Sequence, residues 1–528
     1  MGHSPLFQKK SNIIVYLFLA VLLCGSINNR SFAQPGKAVL QYSVSMPQPS
    51  SHYFHVELNG SGWNMDTLNF KMPQWMPGYY QIMNYARSVE NFSATDNKGK
   101  GLPVTKPAEN SWQLVVGKNK TFTLSYDVKA DRKFVANSLL DSTHGYIVPT
   151  GLFVYVNGHI NTPVSVKIMP GKNWKDVVTG LEPLAGKQHE FTAPDFDILY
   201  DCPILIGNLE ELPSFKVNGV EHRFIGYGLS QFDKAGFMDN LKKVVEAAVN
   251  IIGDIPFRQY TFIGIGPGRG GIEHLNNTTV SFDGKGLNTK DGMNRTMNFL
   301  AHEYFHHYNV KRIRPLELGP FDYDKGSKTN LLWVSEGLSV YYEYLAVKRA
   351  GLTNEQELFK NFEGNINALE NNPGRFYQSL AQASYKTWND GPFGSQGADA
   401  KKSISYYDKG PVVGLLLDLA IRHNTENKKS LDDVMRFLYW QYYKKAQRGF
   451  TDAEFQQACE RIADTSLNDI FEYIYSTKEL DYNTYLAYAG LKADMQTDAE
   501  KGKRIFTIKR REKTDSLQLV ILKSWLGE

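Results

Sequence analysis

The chain has 528 residues, 42% hydrophobic and 22% charged, with 59 Lys and Arg against 55 Asp and Glu. That length exceeds one small core and predicts two or three domains. The near balance of charge excludes a partner held by bulk electrostatics, so no nucleic acid is expected.

Residues 1–33 read as an export signal. Lys9 and Lys10 form its basic start, 13–23 is a nearly continuous apolar run, and Ser31-Phe32-Ala33 is a small-x-small cleavage site. The run is too short for a comfortable membrane span. Leu23 stands before Cys24 where a lipobox takes a small residue, which disfavours a lipid anchor. The expectation is a periplasmic or extracellular protein whose mature chain has no membrane span. Cleavage after Ala33 leaves 56 basic against 55 acidic residues and only two cysteines, Cys202 and Cys459. An oxidising compartment permits those two to pair but does not require it.

Residues 34–217 read as a β-sandwich domain. Runs at 39–44, 53–58, 121–128, 153–157 and 164–168 have strand patterning, with Asn-Gly, Pro-Gly and Asn-Lys-Gly turns between them. Within it, MPQWMPGY at 72–79 reads as a stiff, packed aromatic turn.

The pattern changes near residue 221. Residues 237–252 repeat apolar positions at helical spacing, 260–265 reads as a strand, and PGRGG at 267–271 breaks the chain. That glycine cluster lacks a phosphate loop's lysine and strand-to-helix setting, so nucleotide binding is rejected. Helices dominate from 295 to about 478, and 517–522 is strand-like. The domain division expected is 218–400 catalytic, 401–495 a helical portion completing the cleft, and 496–528 a short tail.

The chemistry concentrates at His302-Glu303-Tyr304-Phe305-His306, in a helical stretch expected over 295–309. Residues four apart on a helix lie one turn apart and about 40° around the axis. Both imidazoles can therefore reach one zinc, with Glu303 beside them as general base for water. His307 points about 100° away around the helix and is left out. A second helix, beginning near residue 331, offers Glu336 thirty residues after His306. Two imidazoles and a carboxylate leave a coordination position open, as catalysis needs. Glu343, two turns beyond Glu336, is either a supporting partner or a solvated residue.

HEYFHHYNVKRIRP at 302–315 followed by LLWVSEGLSVYYEY at 331–344 resembles the glycyl aminopeptidase family, metallopeptidase family 61. MPQWMPGYY and NYARSVENFSA look like its N-terminal β domain, and GGIEH and YYDKG like its remaining site segments. The resemblance implies a gluzincin: an α+β multidomain fold in which a β-sandwich precedes a thermolysin-like zinc peptidase domain and a helical C-terminal portion. One Zn2+ per chain would be held by His302, His306 and Glu336. Similarity to the related aminopeptidase-N enzymes implies that Glu273 binds the substrate's free α-amino group, though His274 stands where those relatives have Asn. It also implies that Tyr407 stabilises the oxyanion, with Tyr406 as the alternative bearer. The substrate implied is a peptide with a free N-terminal Gly or, less well, Ala. Family members commonly carry a C-terminal PDZ domain, for which the 37 residues after Leu491 are too few. A zinc endopeptidase of the same fold and a non-catalytic peptide-binding protein on a peptidase scaffold remain the alternatives. The sequence does not set an oligomeric state.

Overall fold

The computed structural model describes residues 38–117, 121–398, 400–498, 500 and 502–528. The export signal expected at 1–33 lies outside the described residues. Strand Val39–Ser45 buries Leu40, Tyr42 and Val44 and turns the residues between them outward, the period-2 alternation of a one-faced strand. It pairs antiparallel with Tyr53–Ser61 and parallel with Val164–Met169, at the centre of a seven-stranded sheet that also holds Thr121–Lys129 and Val89–Asp96. A four-stranded sheet containing Thr67–Lys71 and Ser111–Val115 packs on it. Leu58, Leu124 and Tyr126 meet Leu68, Phe70 and Trp112 in one core. The run at 153–157 yields only a two-residue strand, Tyr155–Val156, because a 3-10 turn at Pro149–Gly151 and irregular backbone occupy the residues before it.

A second core takes its residues from Leu212 to Leu526, joined by Trp75 and Tyr80. Its sheet places Val220–Gly226, Gln259–Gly264 and Asn277–Phe282 parallel, with Gly266–Glu273 antiparallel at the edge. The glycine cluster thus does not break the chain after 265: it lies inside this edge strand, whose register shifts between Gly266 and Gly271. Helices Lys234–Ile252, Lys290–Phe305, Leu338–Arg349 and Tyr406–Asn424 pack around the sheet and on one another. The fold is therefore α+β and multidomain, a β-rich part followed by a largely helical one.

One expectation changes at the end of the chain. Residues 517–522 are not strand-like but part of helix Ser516–Leu526, started by a capping box between Asp515 and Gln518. A short apolar run has no period that separates helix from strand. The strands of this region are Leu491–Asp498 and Lys503–Arg510, paired as a hairpin. Ile521, Leu522 and Trp525 are buried in the second core, so 496–528 is structurally integrated. Cys202 and Cys459 are both free and buried, one in each core. No helix among the described residues is long and apolar enough to cross a membrane.

Candidate metal centre

Thr289 caps helix Lys290–Phe305, its hydroxyl accepting from Gly292 N. The helix ends at Phe305, four residues before the expected end, and His306 occupies its C-cap. Asn309 explains the early stop. Its carbonyl accepts from His306 Nδ1 at 2.9 Å, and its Nδ2 donates to Val334 O, Ser335 O and Ser339 Oγ. One buried amide thus splices the first helix to the second.

The second helix opens with a π-helical turn, Trp333–Gly337, before α-helix Leu338–Arg349. Single π turns inside helices are frequent at functional sites, because they re-aim one side chain. Here that side chain is Glu336, 2% exposed. His302 Nε2 and His306 Nε2 lie 2.9 Å apart, and Glu336 Oε2 is 3.6 Å from the first and 3.3 Å from the second. Donors about 2.0–2.1 Å from a tetrahedral ion lie about 3.3 Å from one another. Donor chemistry and spacing both fit zinc, and His302, His306 and Glu336 form a candidate metal-holding group among the described residues.

The supporting contacts are equally specific. Glu343 Oε2 lies 2.9 Å from His302 Nδ1, and Ser339 Oγ is 3.2 Å from His306 Nδ1. His306 Nδ1 is thus hydrogen-bonded, while at His302 the carboxylate of Glu343 stands beside the nitrogen turned away from the cluster without hydrogen-bond geometry. Burial opposes ionisation of Glu336, but His306 and His302 override it and hold its carboxyl below the usual carboxylate range. His307 faces elsewhere, its ring packed against Phe257, Tyr304 and Tyr308.

Glu303 is 5% exposed. Burial pushes its carboxyl up to about 7; His302 and His306 pull it down, while Glu273 and Glu336 push it up. The edge strand passes directly over it: a β-carbon on Gly271 would lie 2.4 Å from Glu303 Oε1, so any side chain there would have to displace the Glu303 carboxylate. Two residues on, Glu273 is 3% exposed with Oε1 unpartnered among the described residues. His274 is turned away from it, towards Asp201 at 3.2 Å and Thr279 at 3.3 Å.

Tyr407 O–H donates to Glu336 Oε2 at 2.9 Å, whereas the Tyr406 hydroxyl pairs with Thr387 Oγ1 at 3.1 Å. Of the two neighbouring phenols, Tyr407 is therefore the one held at the cluster. A close backbone crossing brings it there: a β-carbon on Gly337 would meet Gly410 Cα at 2.7 Å and Tyr406 O at 2.9 Å.

The turn at 72–79 does more than pack. Trp75 Nε1 donates to Asp322 O at 2.6 Å, and Trp75 and Tyr80 belong to the second core, not to the β-rich one. Gly78, at φ +97°, lies against Glu273, where a β-carbon would come 2.8 Å from Oε2. Tyr80 is 5% exposed, its hydroxyl meets no hydrogen-bond partner among the described residues, and burial together with Glu336 and Glu273 keeps it protonated. A cavity of about 790 Å³ is lined by Gly78, Tyr80, Gly271, His302, Glu303 and Tyr407. Gly78, Tyr80 and Asn309 also shape the site, although no expected site motif includes them as functional residues. A Pro-Gly corner with two tyrosines was the signal for the first two, and Asn309 carried none.

Three donors converging on one point, with a buried carboxylate beside them and a phenol against the third donor, make up a candidate metal centre. The M61 peptidase N-terminal domain model matches residues 41–208, and the M61 glycyl aminopeptidase model matches 295–413, together over half of the chain. No curated protein matches it. A crystal structure of an aminopeptidase N family protein from Idiomarina loihiensis is 27% identical, with a TM-score of 0.81 over 87% of this chain and 80% of that one. An M1 zinc metallopeptidase from Deinococcus radiodurans shares the fold, at 12% identity and a TM-score of 0.50 over 84% of this chain and 95% of that one. The chain belongs to the M61 glycyl aminopeptidase family and is a peptidase.

Proposed function

We propose that this protein is an exported zinc aminopeptidase that releases small N-terminal residues, Gly and then Ala, from peptides. The convergence of His302 Nε2, His306 Nε2 and Glu336 Oε2 at zinc-ligand spacing carries the reading. Zinc held there would polarise the scissile carbonyl and lower the pKa of a water towards neutrality. Glu303 takes that water's proton on its carboxylate and passes it to the leaving amine. Its burial beneath Gly271 keeps competing water away.

Glu273 supports the exopeptidase half of the reading. A buried carboxylate with a free oxygen and no cation in pairing distance among the described residues is costly alone, and a substrate ammonium would satisfy it. Tyr407 and Tyr80 present phenols from two different parts of the chain, and each can donate to an oxygen on which negative charge develops. Gly78 and Tyr80 narrow the space beside Glu273, in keeping with a small first residue.

Hydrolysis of matched Gly-initiated peptides with free and acetylated N-termini tests this reading. Cleavage of the free form alone is expected. Cleavage of both would make the protein an endopeptidase and strip Glu273 of its role, and cleavage of neither would favour a binding protein.

A further inference from the structure

Pro77 lines a second crevice, of about 500 Å³, while the next residue, Gly78, lines the catalytic cavity. Three parts of the chain meet around this crevice: helix Phe196–Tyr200, the segment 310–314 that follows the HExxH helix, and residues 443–448 at the end of π-turn Tyr439–Ala446. Five basic side chains face it against two acidic ones.

Most of that charge is already paired. Lys311 Nζ lies 2.8 Å from Asp201, Lys444 is 2.8 Å from Asp254, and Arg448 forks onto Glu454. Asp201 is saturated, since it also meets His274 and accepts from Leu275 N. Asp197 accepts from Tyr323 O–H at 2.6 Å. Two guanidiniums are left over. Arg312, 6% exposed, donates to the carbonyls of Leu275 and His307 and lies over the rings of Phe257 and Tyr443, and its Nε has no hydrogen-bond partner among the described residues. Arg314, half-buried, lies over the Phe321 ring and makes no hydrogen bond or ion pair among the described residues, although the charges of Asp197 and Asp201 reach it through space.

Two arginines without an ion-pair partner among the described residues, one buried and one half-buried, stand in this walled crevice, where ring contacts and distant carboxylates only partly replace the hydration they lose. The fork of a guanidinium matches the paired oxygens of a carboxylate or phosphate. The walls are largely apolar and aromatic, with Phe321, Tyr443, Val310 and Leu275 among them, so the space suits more than a bare ion. We propose that this crevice is a second binding site for an organic anion: a carboxylate or phosphate group seated on Arg314 and Arg312, carried on an apolar body. The site is separate from the metal cluster, and its existence does not depend on the peptidase mechanism.

Calorimetric titration of the metal-loaded protein with N-acetylphenylalanine, phenyl phosphate and N-acetylphenylalaninamide tests it. None has a free amine for Glu273, and the third lacks the charge. The account expects saturable binding of at least one of the two anions, with the preferred one identifying carboxylate or phosphate as the natural group. It expects about tenfold or greater weakening for the amide and for Arg314→Gln. If Arg314→Gln fails to fold, Arg314→Lys keeps the charge without the fork and is expected to weaken binding as well. No saturable binding of either anion, equal binding of the amide, or binding indifferent to the change at Arg314 would overturn the proposal.

Discussion

Gly337 and Gly410 touch backbone to backbone: a β-carbon on the first would stand 2.7 Å from the Cα of the second. That contact lets helix Tyr406–Asn424 approach the π turn closely enough for Tyr407 to reach Glu336. Gly337→Ala must therefore push the helices apart. We expect a loss of about 1–3 kcal/mol, the usual cost of overpacking, read as a lowered denaturant midpoint, together with weaker metal retention. Unchanged stability and metal content would show that the crossing has slack.

Glu343 stands 2.9 Å from His302 Nδ1, on the side of the ring turned away from the cluster. Glu343→Ala should lower metal affinity about 10–100-fold, the usual range for a partner of a ligand imidazole. Competition with a calibrated chelator measures it. An affinity equal to the parent's would mean that packing alone orients His302.

Tyr80 has a buried hydroxyl with no hydrogen-bond partner among the described residues. Removing it from the free protein sacrifices no hydrogen bond, so Tyr80→Phe should melt at or slightly above the parent temperature. If the phenol serves the reacting peptide, kcat/KM falls about tenfold or more in the same variant. Stability and activity both unchanged would leave Tyr80 as packing only.

Asp201 gives a pH signature. Burial disfavours its charge, but Lys311 and His274 prevail and hold its carboxyl at about 2. Because the folded pKa is depressed, the stabilisation is present above the unfolded value near 4 and is lost as pH falls from about 4 towards 2. The loss should amount to roughly 2 kcal/mol. Melting curves of the parent and Asp201→Asn across that window should converge as the pH drops. Parallel curves would mean that the pair contributes nothing to acid sensitivity.

Much of this was legible in the sequence, for physical reasons that differ by residue. His302, Glu303 and His306 declare themselves because helical geometry fixes the relation of i, i+1 and i+4. Strands such as Val39–Ser45 declare themselves by alternation. Tyr80 did not, because nothing local says that a turn in the β-rich part will join the core of another part 200 residues away. The glycines at 271, 337 and 410 look like flexibility in a sequence; in the fold they are points where backbone meets a carboxylate or another backbone. The helix at Ser516–Leu526 was misread because its apolar run has no clear period, although Asp515 and Gln518 already spelled a cap.

The most direct test joins activity to metal content in one variant. Glu303→Gln keeps the size of the side chain, leaves His302, His306 and Glu336 in place, and removes the proton acceptor. The account predicts about one zinc per chain by elemental analysis and turnover of a free-amine glycyl peptide reduced at least 100-fold. Full activity in this variant, or inactivity accompanied by loss of the metal, would contradict it.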